Sequence, residues 1–176
     1  MKVKITGTGS YLPKLRITNE DLSQIVDTSD EWIRSRTGIE ARHLCVSETT
    51  TGMSTEASEK ALKSAGITAE DVDIIIAATV SADKYLPGLA CEVQKNLGAG
   101  KAVAFDINAA CSGFLFALDT AAIYLEHNRW KHALVIGAET LSKMMDWTDR
   151  STCVLFGDGA GAAVLSSVEE EGLLSM

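Results

Sequence analysis

The sequence predicts an α/β fold in which helices cover a mixed sheet. Short runs of β-branched and apolar residues alternate with longer segments of helical periodicity, which is typical of this class. The run Ile74 to Ala78 shows no polar alternation, so we expect a strand that is covered on both faces. With 46% apolar and 23% charged residues, the 176-residue chain has enough apolar side chains for the core of such a domain.

The individual elements follow this alternation along the chain. Six strands are expected, the second of them weaker, at residues 3–6, 41–45, 72–80, 103–107, 133–138 and 160–166. Five helices are expected at 20–27, 30–37, 54–65, 89–97 and 112–127, and glycine follows three of them at the usual stop position. The glycine-rich segments 7–12 and 157–161 lack the full spacing of a nucleotide-binding loop, so they are interpreted as tight turns.

The charge balance excludes several kinds of partner. Sixteen Lys and Arg stand against 24 Asp and Glu, which gives a formal net charge of −8. Because such a surface repels phosphate backbones at long range, we expect no nucleic-acid partner. No apolar run reaches the ~18 to 20 residues that cross a bilayer, and no signal-peptide core is visible at the start, so a cytoplasmic protein without a membrane partner is expected.

The predicted helix 112–127 is apolar on every side. Phe, Leu, Ala, Ile and Tyr residues occupy all of its angular sectors, and the main interruptions are Asp119 and Thr120. A helix of this kind has to be buried all round, whereas one sheet covers only one side of it. We therefore expect a second layer of protein, from another domain or another chain, on its opposite side.

Cys111 is the strongest candidate for a catalytic residue. It lies where the predicted strand 103–107 leads into that apolar helix, and the helix N-terminus favours the thiolate, which is the nucleophilic form. Small residues around it resemble the nucleophile elbow of hydrolases. The alternative is that Cys111 is only a small buried apolar residue, as we expect for the other three cysteines. The spacing of the four cysteines contains no Cys-x-x-Cys pair, so neither a metal site nor a disulfide framework is expected.

A second candidate site combines an indole with guanidinium groups. Trp32 and Arg36 lie four residues apart on one face of the predicted helix 30–37, which suits an adenine nucleotide that carries phosphates. The alternative is a Trp packed on the domain beside a solvated Arg. Arg150 lies in a polar segment between two strands, where a local ion pair with aspartate is the simpler interpretation.

Taken together, the motifs resemble the N-terminal half of the β-ketoacyl-ACP synthase III family, the initiating condensing enzymes of type II fatty-acid synthesis. The resemblance extends over nearly all of residues 1–176. It rests on four segments: Gly7-Thr8-Gly9-Ser10-Tyr11-Leu12-Pro13, Thr28-Ser29-Asp30-Glu31-Trp32-Ile33 with Arg36-Thr37-Gly38-Ile39, Asp106-Ile107-Asn108-Ala109-Ala110-Cys111-Ser112-Gly113-Phe114, and Thr148-Asp149-Arg150 with Phe156-Gly157-Asp158-Gly159-Ala160-Gly161-Ala162.

The resemblance implies a fold and a reaction. The fold is thiolase-like, with two α/β halves in a five-layered α-β-α-β-α sandwich whose central layer holds the nucleophile helix. The reaction is acylation of Cys111 by a short acyl-CoA such as acetyl-CoA, followed by decarboxylative condensation with malonyl-ACP. Coenzyme A thioester is then a substrate, no cofactor is permanently bound, and the partners are acyl carrier protein and a second copy of the chain in a homodimer.

The resemblance also assigns roles to individual residues. Trp32 and Arg150 bracket the adenine of CoA, while Thr28 and Arg36 add polar and phosphate contacts. Three further positions line the acyl pocket, and the loop that carries the first of them reaches the partner subunit: Leu86, Leu141 and Phe156.

The family's catalytic histidine and asparagine lie in the C-terminal half, which residues 1–176 do not contain. We therefore expect these residues alone not to condense acetyl and malonyl units. Two alternatives remain open at this point. One is a related synthase that uses a longer or branched starter, and the other is a catalytically silent fragment that self-associates.

Overall fold

The computed structural model describes residues 2–127, 130–169 and 172. Seven strands and six α-helices are formed by this part of the chain. In chain order they are β1 (Lys2–Tyr11), β2 (Leu15–Thr18), α1 (Asn19–Leu22), α2 (Asp30–Thr37), β3 (Ala41–Leu44), α3 (Thr50–Ala65), β4 (Ile74–Ala78), α4 (Leu89–Leu97), β5 (Val103–Ile107), α5 (Gly113–His127), β6 (His132–Thr140), α6 (Arg150–Cys153) and β7 (Asp158–Val168). Short 3₁₀ turns cover Ala69–Asp71, Ala110–Ser112 and Leu141–Lys143.

Five of the strands form one mixed sheet in the order β1-β7-β6-β4-β5. Strand β4 pairs in parallel with β5 and β6, whereas β7 is antiparallel to both β6 and β1. The predicted mixed α/β fold is therefore confirmed. Strands β2 and β3 form a separate antiparallel pair. Three parallel strands end at the same edge of the large sheet, which is where open α/β sheets place their sites.

Helices cover both faces of the large sheet, which gives three layers. Alternate residues of β4 point to opposite faces. Ile75 and Ala77 pack with Met53 of α3 and Val93 of α4, in one core. On the other face, a second core joins Ile74, Ile76 and Ala78 to Ala117, Ala121 and Leu125 of α5. All five residues of β4 are buried, as the absence of polar alternation predicts.

The segment Gly7-Thr8-Gly9 is not the tight turn that the sequence suggests, because it lies inside strand β1. Residues two apart in a strand share a face, and the face of Gly7 and Gly9 lies against α3. A Cβ on Gly9 would come within 2.2 Å of the carbonyl oxygen of Ala57, and one on Gly7 within 2.4 Å of that of Ala61. Both glycines therefore let the helix backbone approach the strand directly.

The second glycine-rich segment, 157–161, is also strand rather than turn over most of its length. Residues 158–161 begin β7 and pair with residues 137–140 of β6. The sequence analysis did not predict β2 or α6. It also predicted that α3 begins at residue 54, whereas the helix begins at Thr50, because the side chain of Thr49 accepts the capping hydrogen bond from the backbone N–H of Gly52. Glycines 38, 66 and 98 cap α2, α3 and α4 in the left-handed conformation, as expected.

Helix α5 is covered on one side only within the described residues. Ala117, Ala121 and Leu125 face the sheet, but Leu115, Phe116 and Ile123 are exposed by 65%, 54% and 51%. The described residues thus supply one of the two layers that this helix needs. In the same part of the chain, we find no helix that is both long and apolar enough to span a membrane.

Candidate active site at Cys111

Cys111 lies at the junction between a buried strand and the apolar helix. Strand β5 ends at Ile107, the 3₁₀ turn Ala110–Ser112 follows, and α5 begins at Gly113. Ala110, directly before the cysteine, has a φ of 45°, a left-handed conformation that non-glycine residues rarely adopt. The chain therefore turns sharply at this point, as in a nucleophile elbow, and the strained residue is Ala110.

Close packing fixes this turn against the sheet. Gly113 is buried, and a Cβ at this position would lie 3.2 Å from the Cβ of Ala78 at the end of β4. The next residue, Phe114, lies against Gly137 of β6, where an added Cβ would be 3.1 Å from the ring. Because the residues directly after the turn pack against β4 and β6, the core fixes the start of α5 next to Cys111.

Among the four cysteines, all in the described part of the chain, Cys111 alone is exposed. Cys153 is fully buried, and burial raises the pKa of its thiol. Burial and the nearby Asp158 carboxylate raise the pKa of Cys45 to about 12. Cys91 is half-buried, with its sulfur 3.6 Å from the carbonyl oxygen of Ala104. Accessibility therefore separates Cys111 from the other three thiols.

The second candidate site brings Trp32, Arg36 and Arg150 together. The guanidinium carbon of Arg36 lies 4.5 Å from the ring centroid of Trp32, and that of Arg150, from α6, lies 4.9 Å from it. Arg150 Nη1 also donates a hydrogen bond of 2.9 Å to the carbonyl oxygen of Asp27, and it lies 3.8 Å from the Asp27 carboxylate. The indole is thus flanked by two positive charges.

Thr28 lies next to this arrangement and carries a polar atom without a partner. Its hydroxyl oxygen is buried and forms no hydrogen bond within the described residues. Such an atom costs free energy unless something satisfies it. Ser29, rather than Thr28, caps α2 by accepting from the backbone N–H of Trp32 at 3.1 Å, so the Thr28 hydroxyl is not used as a helix cap.

The three residues assigned to the acyl pocket lie in different surroundings. Leu86 is 87% exposed on the loop between β4 and α4. Leu141 begins the 3₁₀ turn that follows β6, and Phe156 lies between α6 and β7, and both are half-buried. Leu86 therefore faces away from the core of its own chain.

A cleft of about 570 Å³ opens at the carboxyl edge of the parallel strands, and sequence reasoning did not identify it. Residues that follow β4, the end of β5 and the end of β6 line it, among them Ser81, Asp106, Asn108 and Thr140. Cys111, Leu86, Leu141 and Phe156 are not among its lining residues. No local sequence signal marks this cleft, because its position depends on how the three strands pair in the folded sheet.

Three carboxylates fix the loop that borders this cleft and carries Leu86. The Glu139 carboxylate accepts hydrogen bonds from the backbone N–H of Val80 and from the hydroxyl of Ser81. Two more carboxylates accept backbone N–H groups at helix N-termini: Asp83 from Thr50 and Thr51 of α3, and Asp106 from Leu89 and Ala90 of α4. The loop and the start of α4 that follows it are thus tied to α3, β5 and β6.

Within the described residues, no hydrogen bond joins any of the three histidines to the sulfur of Cys111. The Nδ1–H of His43 donates to the carbonyl of Pro13, and that of His127 donates to the carbonyl of Ile123. His127 is also about 24 Å away along the helix, at 1.5 Å per residue. His132 Nδ1 is hydrogen-bonded to the hydroxyl of Ser166 at 2.9 Å. We also find no cluster of three His, Cys, Asp or Glu suited to a metal within the described residues.

Comparisons with known proteins match this geometry to one family. The sequence profile of the 3-Oxoacyl-[acyl-carrier-protein (ACP)] synthase III family matches residues 105–176, which include Cys111 and Arg150. A β-ketoacyl-ACP synthase III of Clostridium botulinum is 55% identical over 172 residues, which cover 98% of this chain and 53% of the relative.

Solved structures give the same result. The crystal structure of 3-oxoacyl-[acyl-carrier-protein] synthase III from Aquifex aeolicus superposes with a TM-score of 0.94 at 54% identity, over 96% of this chain and 55% of that one. A priming β-ketosynthase from the R1128 polyketide pathway also reaches a TM-score of 0.94, at 37% identity, over 97% of this chain and 52% of that one.

Two consequences follow from these matches. The chain spans about half the length of the curated relatives it matches, and its mixed sheet with helices on both faces is one half of the thiolase fold. Over that half, the chain belongs to the 3-oxoacyl-[acyl-carrier-protein] synthase III family.

Proposed function

We propose that this chain is the acyl-accepting, N-terminal half of a 3-oxoacyl-ACP synthase III, which starts fatty-acid synthesis from acetyl-CoA and malonyl-ACP. The observation that carries the proposal is the exposed sulfur of Cys111 at the N-terminal end of α5. A free nucleophilic thiol also suits a reducing compartment, so we place the protein in the cytoplasm.

The first chemical step is thioester exchange on Cys111. The thiolate attacks the carbonyl carbon of the acyl-CoA, the carbonyl oxygen takes up negative charge, and the CoA thiolate leaves as the acyl–sulfur bond to Cys111 forms. We propose that the backbone N–H of Cys111, in the 3₁₀ turn before α5, stabilises this developing charge. The step requires no permanently bound cofactor, because CoA enters as part of the substrate.

Recognition of the CoA nucleotide falls to the indole and the guanidinium groups around it. An adenine ring stacked between two planes needs about 3.5 Å on each side, so Arg150 would move outward from its present 4.9 Å to admit it. Arg36 then pairs with phosphate, and the unpartnered Thr28 hydroxyl gains a hydrogen bond. In this proposal, Leu141 and Phe156 border the acyl group, and Leu86 extends into the pocket of a partner chain.

Condensation needs groups that the described residues do not supply. The enolate that forms as malonyl-ACP loses carbon dioxide has to be stabilised, and within the described residues no histidine is hydrogen-bonded to Cys111. We assign this task to the histidine and asparagine of the family's C-terminal half. Docking of acyl carrier protein is assigned to the whole enzyme as well.

Intact mass spectrometry tests the proposed function. After incubation with acetyl-CoA, the 176-residue chain is expected to gain one acetyl group that maps to Cys111, and malonyl-ACP is expected to yield no condensation product. Adding the C-terminal half of a full-length relative should restore product formation. A chain that gains no acetyl group in either condition would favour the catalytically silent fragment. Condensation by the chain alone would contradict the assignment of this step to the C-terminal half.

A starter preference for longer or branched acyl groups is the second candidate. The similarity to the polyketide priming enzyme points to it, but the identity to that enzyme is 37%, against 54% to the fatty-acid enzyme of Aquifex aeolicus. We therefore favour acetyl-CoA. The same mass assay with isobutyryl-CoA and octanoyl-CoA separates the two, because the favoured starter acylates Cys111 fastest.

The open flank of α5 supports assembly beyond a single chain. Leu115, Phe116 and Ile123 present a contiguous side of the helix to solvent, and β5 is an edge strand of the sheet. We propose that the second half of the enzyme covers the helix and that the whole protein is a homodimer. Light scattering is expected to give a mass above that of one 18.8 kDa chain, since the flank self-associates when uncovered. A folded, strictly monomeric chain would contradict this.

A further inference from the structure

Trp32 and Arg150 are contributed by two short helices that are far apart in the sequence. Trp32 is on α2 and Arg150 is the first residue of α6, yet the guanidinium carbon of Arg150 lies 4.9 Å from the ring centroid of Trp32. Both helices rest on one small apolar cluster that contains Ile33 of α2 and Cys153 of α6. Apolar contacts of this kind are non-directional, so they do not by themselves fix the separation of the two helices.

Arg42 of β3 lies beneath this cluster and holds the end of α6. Its side chain is buried, with 5% of the residue exposed. Nη2 donates to the carbonyl oxygen of Val154, the residue that follows α6, at 3.2 Å, and to Oδ1 of Asn19 at 3.0 Å. Nη1 donates to the carbonyl oxygen of Ile17 at 3.4 Å. The guanidinium therefore connects β2, α1 and α6.

Asn19 continues this connection to both ends of α2. It is fully buried, and its Nδ2 donates to Oδ1 of Asp30 at 2.8 Å and to the carbonyl oxygen of Ile39 at 2.7 Å. Asp30 is the first residue of α2, and Ile39 follows the Gly38 cap. Since Oδ1 accepts from Arg42 while Nδ2 makes two further bonds, the orientation of the amide is fixed.

This arrangement is costly to keep for stability alone. Burial lowers the pKa of Arg42, which reflects the cost of removing a charged guanidinium from water. The guanidinium forms no ion pair with a carboxylate within the described residues, and its Nε is buried without a partner. Apolar residues in place of a buried charge are often neutral or stabilising. What the guanidinium adds is direction, because its hydrogen bonds set the positions of the groups that they join.

We propose that Arg42 and Asn19 are positioning residues for the CoA nucleotide: the hydrogen-bonded path from Val154 through Arg42 and Asn19 to Asp30 sets the separation of α2 and α6. Neither residue touches the substrate. The path acts through Trp32 and Arg150, whose spacing decides whether an adenine ring is bound between them. This inference rests on the proposed function, because it concerns the recognition of that substrate's nucleotide.

The test compares acetyl-CoA with an acetyl thioester of N-acetylcysteamine, which has no nucleotide. In Arg42→Met and Asn19→Leu, the acetyl-CoA concentration for half-maximal acylation of Cys111 is expected to rise about tenfold, about 1.4 kcal/mol of binding free energy. The rate with the short thioester is expected to stay within about twofold, a difference in activation free energy well below 1 kcal/mol. Arg42→Lys, which keeps the charge and a donor, should recover part of the affinity.

Arg16→Met is the matched control, because Arg16 is exposed on β2 and opposite β3 in the same strand pair. It removes the same charge and is expected to change neither the acetyl-CoA concentration for half-maximal acylation nor the rate with the short thioester. If Arg42→Met and Asn19→Leu do not fold by circular dichroism, Asn19→Ser carries the same comparison. Equal losses with both thioesters, or no loss with either, would overturn the inference. Wild-type chain that is acylated equally well by the two thioesters would instead refute the proposed nucleotide site.

Discussion

Cys111→Ala is expected to abolish acylation by acetyl-CoA while leaving CoA binding intact. The change removes the exposed sulfur, and loss of a catalytic nucleophile lowers the rate by a factor on the order of a thousand or more. Binding is retained, because the indole and guanidinium groups assigned to the nucleotide lie on α2 and α6, outside the turn that carries Cys111. Intact mass spectrometry measures the acyl group, and titration with CoA, followed by tryptophan fluorescence, measures binding.

Two further measurements separate an activated thiol from an accessible one. Cys111→Ser keeps the size and exposure of the side chain, but its hydroxyl does not ionise near neutral pH, so acylation is expected to fail here as well. Iodoacetamide provides the second measurement, and it is expected to modify Cys111 before the other cysteines. With a pKa of about 12, Cys45 has only about one thiolate in ten thousand at pH 8.

Cys91→Ala is the matched control for both measurements, since Cys91 is half-buried beside the carbonyl of Ala104. It should leave acylation and the fast alkylation phase unchanged. Two results would contradict the assignment. One is an acetyl group transferred to the Cys111→Ala chain at normal rate, and the other is wild-type alkylation that is no faster at Cys111 than at Cys91.

The position of Cys111 between a strand and an apolar helix could be predicted from the sequence because the relevant signals are local. A continuous apolar strand, a short stretch of small residues and an apolar helix are adjacent in the chain, so the position of Cys111 follows from periodicity and chain order alone. Helix ends at glycines 38, 66 and 98 are predictable for the same reason, because a left-handed cap depends on one residue.

The remaining site features depend on contacts between distant segments. The hydrogen bond from Arg42 to Val154 joins residues more than a hundred positions apart, and periodicity in β3 gives no indication of it. Buried Arg and Asn are uncommon, so a sequence pattern favours exposure for both. The cleft at the carboxyl edge likewise requires the order of β5, β4 and β6, which is a property of the folded sheet.

The glycines of β1 show how a correct motif can be given the wrong structural role. Gly-x-Gly is common in turns because glycine accepts unusual backbone angles, and that argument predicts a turn at 7–9. Neither glycine has a positive φ here, and what they provide is the absence of a side chain beneath α3. The small residues Ala57, Ala61 and Ala65 recur at the helical period and form the matching surface.

Gly9→Ala is therefore expected to destabilise the chain more than most single substitutions of glycine by alanine. The new Cβ would lie 2.2 Å from the carbonyl oxygen of Ala57 and 2.5 Å from the backbone nitrogen of Ala61. Both are backbone atoms of α3, so no side chain can rotate away and the whole helix has to move. We expect the free energy of unfolding in urea to fall by about 3 kcal/mol or more.

Gly161→Ala is the matched control, because Gly161 of the neighbouring strand β7 pairs with Ser10 of β1 and an added Cβ meets no atom within 4 Å. Its φ is not positive, so alanine is tolerated, and the free energy of unfolding is expected to change by less than about 1 kcal/mol. The damage at Gly9 should also reach the cleft, because the N-terminal Thr50 of α3 bonds to Ser81 and Thr140 through its hydroxyl. Equal unfolding free energies for the two variants would show that α3 does not rest directly on the backbone of β1.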